Sequence, residues 1–229
     1  MTHPLLDVIV GDRRLRVVAT ERTDGDVHPL RTGPDTLAAR QHAITGADRS
    51  WVMTDQVHGV DVSTVDGSAP WSPTTGVADV IVTGALDATI AIWAADCAPI
   101  VVAADDGTLV AAHGGWRGLA MGVVDVAVDA AVGNGGSVAA AVLGPVIHPC
   151  CYEFDPDDLA TIPDAIPGRT SSGGPALDVP ATVAASLARR GVDLDASGPC
   201  TGCDDRWFSH RVRSEPGRHA VIAWWEHAR

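Results

Sequence analysis

Apolar and polar residues follow two different periods along this chain, and each period predicts one type of element. Residues 5–20 contain two short apolar stretches joined by a Gly-Asp turn, which is typical of a β-hairpin. Residues 59–66 alternate apolar and polar side chains, as a half-buried strand does. Further apolar runs predict buried strands, and they cover residues 78–84, 87–107, 108–113, 137–145 and 218–225. The run at 87–107 is interrupted by Asp-Cys-Ala-Pro, so it predicts more than one strand.

Helical spacing and helix-start signals predict four helices between these strands. They cover residues 33–45, 119–133, 155–162 and 179–191. Gly46, Gly133 and Gly191 stand at or just past three of the helix ends, where glycine favours termination. Residues 67–76 are rich in Pro, Ser and Thr and are predicted to form a loop.

The irregular alternation of strands and helices indicates the fold class. No repeat and no long linker divides the chain, so we predict one α/β domain over residues 1–229, with mixed β-sheets flanked by helices. A Rossmann fold is disfavoured because no Gly-x-Gly-x-x-Gly follows a strand. The phosphate-binding sequence Gly-x-x-x-x-Gly-Lys-Ser/Thr is absent as well.

Charge and hydropathy narrow the classes of partner. The formal net charge is −13 at pH 7, and every basic residue is arginine. Such an acidic chain is a poor match for nucleic acid or an anionic membrane, because phosphate groups attract clusters of Lys and Arg. The N-terminal residues lack the basic start and apolar stretch of a signal peptide, and no apolar run reaches the length of a membrane span. We therefore expect a cytoplasmic protein.

Three side chains with metal-binding chemistry lie at or next to the ends of predicted strands, namely His58, Cys97 and His113. Two imidazoles and one thiolate suit Zn²⁺, and a set of three protein ligands leaves the fourth position of a catalytic zinc open. The same trio without metal could be a cysteine nucleophile with a histidine base. Each residue also has a purely structural interpretation. The histidines could be hydrogen-bonded residues at strand ends, and the cysteine could be a small core residue.

The other four cysteines are Cys150, Cys151, Cys200 and Cys203. An odd total of five, without a secretory signal, favours thiols, metal ligands or a nucleophile over disulfides. Cys200 and Cys203 form one Cys-x-x-Cys, but the adjacent pair cannot supply the usual second half of a zinc knuckle. The spacing therefore disfavours a four-cysteine zinc site, and we interpret these residues as structural.

Five segments, in order, resemble the YfiH/laccase-domain family, also called the multicopper polyphenol oxidoreductase laccase or purine nucleoside phosphorylase family. They are DQVHGV at 55–60, AADCAPI at 94–100, HGGWRGLAMGV at 113–123, LGPVIHPCCYEF at 143–154, and CTGCDDRWFSHR with GRHAVIAWW at 200–225. The resemblance implies an α/β domain with a zinc site whose ligands are His58, Cys97 and His113. The same ligands would accept Cu²⁺ in vitro.

The resemblance also implies an activity. Members of the family are associated with phosphorolysis of adenosine, inosine and methylthioadenosine, and with deamination of adenosine. A purine nucleoside and phosphate are then the expected partners of a monomer or weak homo-oligomer. Two alternatives are an amidase that acts on a UDP-linked peptidoglycan precursor and a non-catalytic, zinc-stabilised binding protein. The chain has too few paired histidines for a multicopper oxidase.

Several further residues are candidates for substrate contact. Gly114 and Gly115 leave backbone N–H groups accessible before a predicted helix, and Arg117 could bind phosphate or form a salt bridge at the helix start. Asp96 or Glu153 could move a proton during deamination, although Asp96 could equally orient a ligand histidine. Arg22 lies in an N-terminal segment that keeps this arginine and Gly25 but lacks the double glycine of the family pattern.

Overall fold

The computed structural model describes residues 2–46, 49–67 and 74–228, so most of the predicted 67–76 loop lies outside the described residues. The strands are β1 His3–Val10, β2 Arg13–Ala19, β3 Trp51–Val52, β4 Val62–Val65, β5 Val80–Thr83, β6 Thr89–Ala94, β7 Ala98–Ala104, β8 Leu109–Gly114, β9 Val138–Leu143, β10 Pro167–Arg169, β11 Pro175–Leu177, β12 Ala196–Ser197 and β13 His219–His227. The α-helices are α1 Pro34–Thr45, α2 Trp116–Ala120, α3 Val123–Val132, α4 Pro156–Leu159, α5 Val179–Arg189 and α6 His210–Arg213. None of these helices combines the length and the apolar character that a bilayer crossing requires.

Two sheets contain all of these strands except the hairpin of β10 and β11. The first sheet has the order β1-β2-β13-β6-β3, and the second has the order β12-β9-β7-β8-β5-β4. Most neighbours are antiparallel, but β3 with β6, β4 with β5 and β12 with β9 are parallel. The prediction of mixed sheets flanked by helices is therefore confirmed.

The sheets pack face to face, and helices cover their outer faces. Side chains alternate along β7: Val101 and Ala103 join the core between the sheets, while Ile100 and Val102 join the core beneath α3 and α5. Both faces of this strand are buried, which explains its uninterrupted apolar sequence. Leu37 of α1 belongs to a third core on the outside of the first sheet. The layers thus run helix, sheet, sheet, helix.

The predicted helix at 119–133 is wrong at its beginning. Gly122 has φ +82°, a left-handed conformation that L side chains rarely adopt, and it separates α2 from α3. Apolar residues keep their helical spacing on both sides of Gly122, so the hydrophobic pattern alone does not reveal the break between the two helices. The short elements β3, β10, β11, β12 and α6 escape sequence-based prediction, since two to four residues carry too little periodicity.

An ion pair joins the segment after β2 to the loop before β13. The Nη1 atom of Arg22 lies 2.6 Å from Oε1 of Glu215, and Nη2 lies 3.0 Å from Oε2. Oε2 also accepts hydrogen bonds from the Ser209 N–H and from Arg213. Burial raises the pKa of Glu215, but the bonds from Arg22, Ser209 and Arg213 outweigh burial and lower it to about 2. Glu215 thus fixes the loop that leads into β13.

We expect Glu215→Gln to lower the free energy of unfolding at pH 7 by about 1–3 kcal/mol, because charged hydrogen bonds are lost. The pKa of Glu215 lies near 2 in the folded chain and near 4.5 in the unfolded chain. The stabilisation is therefore complete above roughly pH 5 and is lost as the pH falls towards 2. Urea unfolding at pH 7, 5 and 3 measures the difference between the two proteins.

The matched control is Glu226→Gln, which alters a carboxylate that is 37% exposed at the end of β13. Its effect should stay within about 0.5 kcal/mol at every pH. A loss in Glu215→Gln that is equally large at pH 7 and pH 3 would contradict the ion-pair argument.

Candidate active site

The structure brings His58, Cys97 and His113 together. His58 lies in the loop between β3 and β4, Cys97 lies where the chain crosses from β6 to β7, and His113 lies in β8. One ligand atom from each residue lies within 4.8 Å of the others. The Cys97 Sγ atom is 3.7 Å from Nε2 of His58, and the imidazole centroids are 4.8 Å apart. This spacing allows all three to reach a single ion.

Asp79, a fully buried residue just before β5, binds the ring of His113 and the backbone of His58. Its Oδ1 atom lies 2.8 Å from Nδ1 of His113, which leaves Nε2 of that ring as the free ligand atom. Its carboxylate also accepts the backbone N–H groups of Val57, His58 and Gly59. Burial raises the pKa of Asp79, but these bonds outweigh it, so the pKa is lowered. They hold His58 in a left-handed conformation with φ +63°.

Cys97 and His113 carry opposite charges in this arrangement. Burial raises the pKa of the Cys97 thiol, but His113 and His58 outweigh burial and lower the pKa to about 6. Burial lowers the pKa of His113, but Cys97 and Asp79 outweigh it and raise the pKa to about 9. Without a metal, the pair is therefore a thiolate beside an imidazolium, which is also the form of an activated cysteine.

Asp96 has a different task from orienting a histidine. Its φ is +92°, and its carboxylate accepts hydrogen bonds from the Thr201 hydroxyl and the Arg211 N–H, each at 2.6 Å. From the sequence, Asp96 could be the hydrogen-bond acceptor of a ligand histidine, but in the structure Asp79 is the acceptor for His113. Asp96 therefore joins the crossing at Cys97 to the chain segment that precedes β13.

A cleft of about 150 Å³ opens beside the trio. It is lined by His58, Ala95, Asp96, Cys97, Gly114, Trp116, Arg117, Ile147, Tyr152, Val179, His210 and Arg211. The Arg117 guanidinium lies 4.4 Å from the Trp116 ring centroid, and that of Arg211 lies 5.0 Å from the Tyr152 ring centroid. Arg117 makes no ion pair with any acidic residue in the described ranges. The cleft thus offers cationic groups for an anion.

A larger hollow of about 480 Å³ lies beside Arg14, Arg49 and Glu226. Among the described residues, its lining contains no cysteine and no buried carboxylate or thiol of the kind that marks reactive sites. The candidate active site is therefore identified by the convergence of ligating side chains and not by the volume of the cavity.

The remaining predicted residues have different surroundings. Gly114 lines the cleft, whereas Gly115 is buried against the His58 ring. Arg22 pairs with Glu215, and Glu153 is exposed. Neither Arg22 nor Glu153 is among the residues found to line the cleft in the described part of the chain. That these two contact substrate stays a prediction.

Sequence reasoning missed Asp79 and assigned no role to Tyr152, His210 or Arg211. A carboxylate directly before the buried run Val80–Thr83 is a signal for Asp79, because such a group needs hydrogen-bond partners. Tyr152 and Arg211 lie within recognised segments, but their approach to Cys97 depends on long-range folding.

Comparisons with known proteins agree with the fold. Residues 35–226 match the family model described as multi-copper polyphenol oxidoreductase laccase. The purine nucleoside phosphorylase ORF3 of Streptomyces griseus is 39% identical over 206 residues, covering 86% of this chain and 82% of that protein. A purine nucleoside phosphorylase of Streptomyces coelicolor is 37% identical over 209 residues, covering 87% and 84%. The crystal structure of Bacillus licheniformis YfiH aligns with a TM-score of 0.76 at 20% identity and covers 92% of both chains.

We expect Gly115→Ala to weaken metal binding at the trio, because a Cβ at this position would overlap with Cδ2 of His58. Displacing the ring costs about 1–3 kcal/mol, which corresponds to roughly a 5- to 150-fold loss of affinity for an added divalent metal ion. Competition with a chromogenic chelator measures this affinity. Gly84→Ala is the matched control, since a Cβ there meets nothing within 4 Å. Equal affinity for the added metal ion in both variants would show that His58 is not confined by Gly115.

Proposed function

This chain belongs to the multi-copper polyphenol oxidoreductase laccase family, and we propose that it is a zinc-dependent enzyme that cleaves purine nucleosides by phosphorolysis. The names of its relatives support a purine nucleoside enzyme. One observation in the structure carries the proposal. The set of His58, Cys97 and His113 adjoins a cleft lined by Arg117 and Arg211. A ligand trio beside an anion-binding surface suits a substrate pair of nucleoside and phosphate.

The residues present fit zinc. Three ligand atoms lie within reach of one ion, and the bond from His113 to Asp79 fixes the ring nitrogen that faces it. Three protein ligands are typical of a catalytic zinc, which acts on substrate as a Lewis acid when bound. The same donors accept Cu²⁺ in vitro. In the described ranges the histidine-containing cluster is this single trio, which supports a mononuclear site rather than a multicopper centre.

Different side chains of the cleft serve the two substrates of phosphorolysis. Arg117 and Arg211 bind the phosphate, and Ile147 and Val179 supply an apolar wall for the purine. A phosphate oxygen bonds to C1′ of the ribose while the bond from C1′ to N9 breaks. The electron pair of that bond leaves with the purine, which takes up a proton. The products are the free base and ribose 1-phosphate.

Adenosine deamination is a second candidate, and the position of Asp96 favours it. Asp96 lines the cleft next to Cys97, and from this position its carboxylate could carry a proton from water to the leaving ammonia. Water adds at C6, the bond from C6 to the amino group breaks, and inosine forms. Asp96 is already hydrogen-bonded to Thr201 and Arg211, so its oxygens are held at defined positions.

The cytoplasm is the compartment that we propose for this activity. All five cysteines are free thiols, and a reducing compartment keeps thiols available for metal ions.

Purified protein incubated with phosphate should release adenine from adenosine and methylthioadenosine, and hypoxanthine from inosine, together with the sugar phosphate. Because His113→Ala and Cys97→Ser each remove a ligand, we expect them to lower the rate by at least about 100-fold. His42→Ala, which changes an exposed histidine of α1, is the matched control and should keep the full rate. Chromatography of the bases gives the measurement.

The same experiment separates the alternatives. Inosine formed from adenosine without phosphate would establish deamination. Full zinc occupancy with no change in any nucleoside would contradict the proposal, and hydrolysis of a UDP-linked muropeptide would then distinguish the amidase from a non-catalytic binding protein.

We expect Arg117→Ala to raise the KM for phosphate by about 10- to 100-fold, since a charge-assisted hydrogen bond contributes about 1.5–3 kcal/mol. The KM for the nucleoside should change much less. Arg14→Ala, which removes an arginine whose side chain is 43% exposed and paired with Asp7, controls for the loss of one positive charge. A KM for phosphate that is unchanged in Arg117→Ala would remove this residue from the phosphate site.

A further inference from the structure

The four cysteines outside the candidate active site form a second cluster, although their spacing disfavours one. Cys150 and Cys151 lie in the 3₁₀ turn Pro149–Cys151, and Cys200 and Cys203 lie in the segment after β12. The four Sγ atoms all lie within 4.8 Å of one another. The tight turn allows two adjacent side chains to face the same point, which a sequence pattern based on zinc knuckles does not anticipate.

The sulfur-to-sulfur distances match a tetrahedron around one ion. Cys150 Sγ lies 3.7 Å from that of Cys151, 3.8 Å from that of Cys200 and 3.4 Å from that of Cys203. The Sγ atoms of Cys151 and Cys203 are 3.3 Å apart. A zinc ion with bonds of about 2.3 Å to four sulfurs places them about 3.8 Å apart. These four edges measure 3.3–3.8 Å, at or below this value, and the other two edges are no longer than 4.8 Å.

The backbone around the cluster is built for close approach. A Cβ on Gly202 would lie 2.8 Å from Cys151 Sγ, so glycine is the residue that lets the two segments meet. The His148 N–H lies 3.3 Å from Cys200 Sγ and donates to it. Arg213 donates to the carbonyl oxygens of Thr201 and Gly202 and holds the loop from the other side. These contacts order the sulfurs rather than leave them on a free loop.

Core packing and iron–sulfur ligation fit the cluster less well than a single ion does. Cys203 is exposed, so packing as a small core residue does not account for it. Iron–sulfur clusters distribute their cysteines over two or more iron atoms, and sulfurs bound to different irons lie farther apart than the 4.8 Å within which all four sulfurs lie here. Four thiolates around a single ion give a closed tetrahedral site, which is typical of structural zinc.

We propose that Cys150, Cys151, Cys200 and Cys203 bind one structural Zn²⁺ ion, separate from the ion at His58, Cys97 and His113. The four thiols release their protons when the ion binds, and four protein ligands leave no position for substrate. The site fastens the turn before Tyr152 to the loop that contains Thr201. Tyr152 lines the cleft, and Thr201 donates to Asp96, so the ion holds one wall of the cleft in place.

Metal content of the full-length chain tests this proposal. Mass spectrometry of protein purified without chelator should find two zinc ions per wild-type chain and one in Cys203→Ser. The double variant His58→Ala, Cys97→Ser is the matched control, because it removes ligands of the other site and should also keep one ion. After Co²⁺ replaces zinc in that double variant, an intense thiolate-to-cobalt charge-transfer band should appear, and adding Cys203→Ser should abolish it.

The outcomes are distinct from those of the nucleoside assay. Cys203→His keeps a zinc ligand and should restore the second ion if Cys203→Ser folds poorly. Zinc content that is the same in wild type and both Cys203 variants would overturn the proposal. So would iron in place of zinc, or a disulfide among the four cysteines in protein that lacks the second ion. The two proposals can fail separately. If the wild-type protein shows no activity on nucleosides but the His58→Ala, Cys97→Ser variant still holds one zinc ion, the proposed function is contradicted and the four-cysteine site is supported.

Discussion

The candidate active site depends on the hydrogen bonds that the Asp79 carboxylate accepts. This carboxylate is buried at the start of β5, where it accepts three backbone N–H groups from the loop of His58 and a ring N–H from His113. A buried carboxylate is costly unless its oxygens are satisfied, and here the groups that satisfy it belong to the two ligand segments. The charge therefore fixes the loop conformation, the ring orientation and the free nitrogen of His113 together.

Asp96 connects the two cysteine-containing sites across the fold. It precedes Cys97 in the chain, and its carboxylate accepts from Thr201, which lies between Cys200 and Cys203. It also accepts from the N–H of Arg211, a residue that lines the cleft. A left-handed conformation at a non-glycine residue is unfavourable, and these two short bonds offset it. The geometry of the cleft is thus shared between the crossing at Cys97 and the segment that leads to β13.

Most of the fold could be predicted from the sequence because the central strands are buried on both faces and therefore consist of uninterrupted apolar runs. The trio was predictable through the recognised segments, whereas strand ends alone left several interpretations of His58 and Cys97 open. The features that escaped prediction depend on dihedral angles or on distant partners. Gly122 divides a helix by its positive φ, and Arg22 turns to Glu215 instead of the cleft. Cys150 and Cys151 are adjacent in the chain, yet a tight turn places both of their sulfurs in one cluster with those of Cys200 and Cys203.

The position of β13 has a consequence for how the chain is assembled on the ribosome. This last strand lies in the middle of the first sheet, between β2 and β6. Until it emerges, β2 pairs only with β1 and β6 only with β3, so the backbone groups on the other side of each strand remain open to other chains. The nascent chain therefore has two unpaired strand edges, with Cys97 shortly after the end of β6, until residues 219–227 have been synthesised. Premature termination upstream of His219 would leave these edges permanently exposed and prone to aggregation.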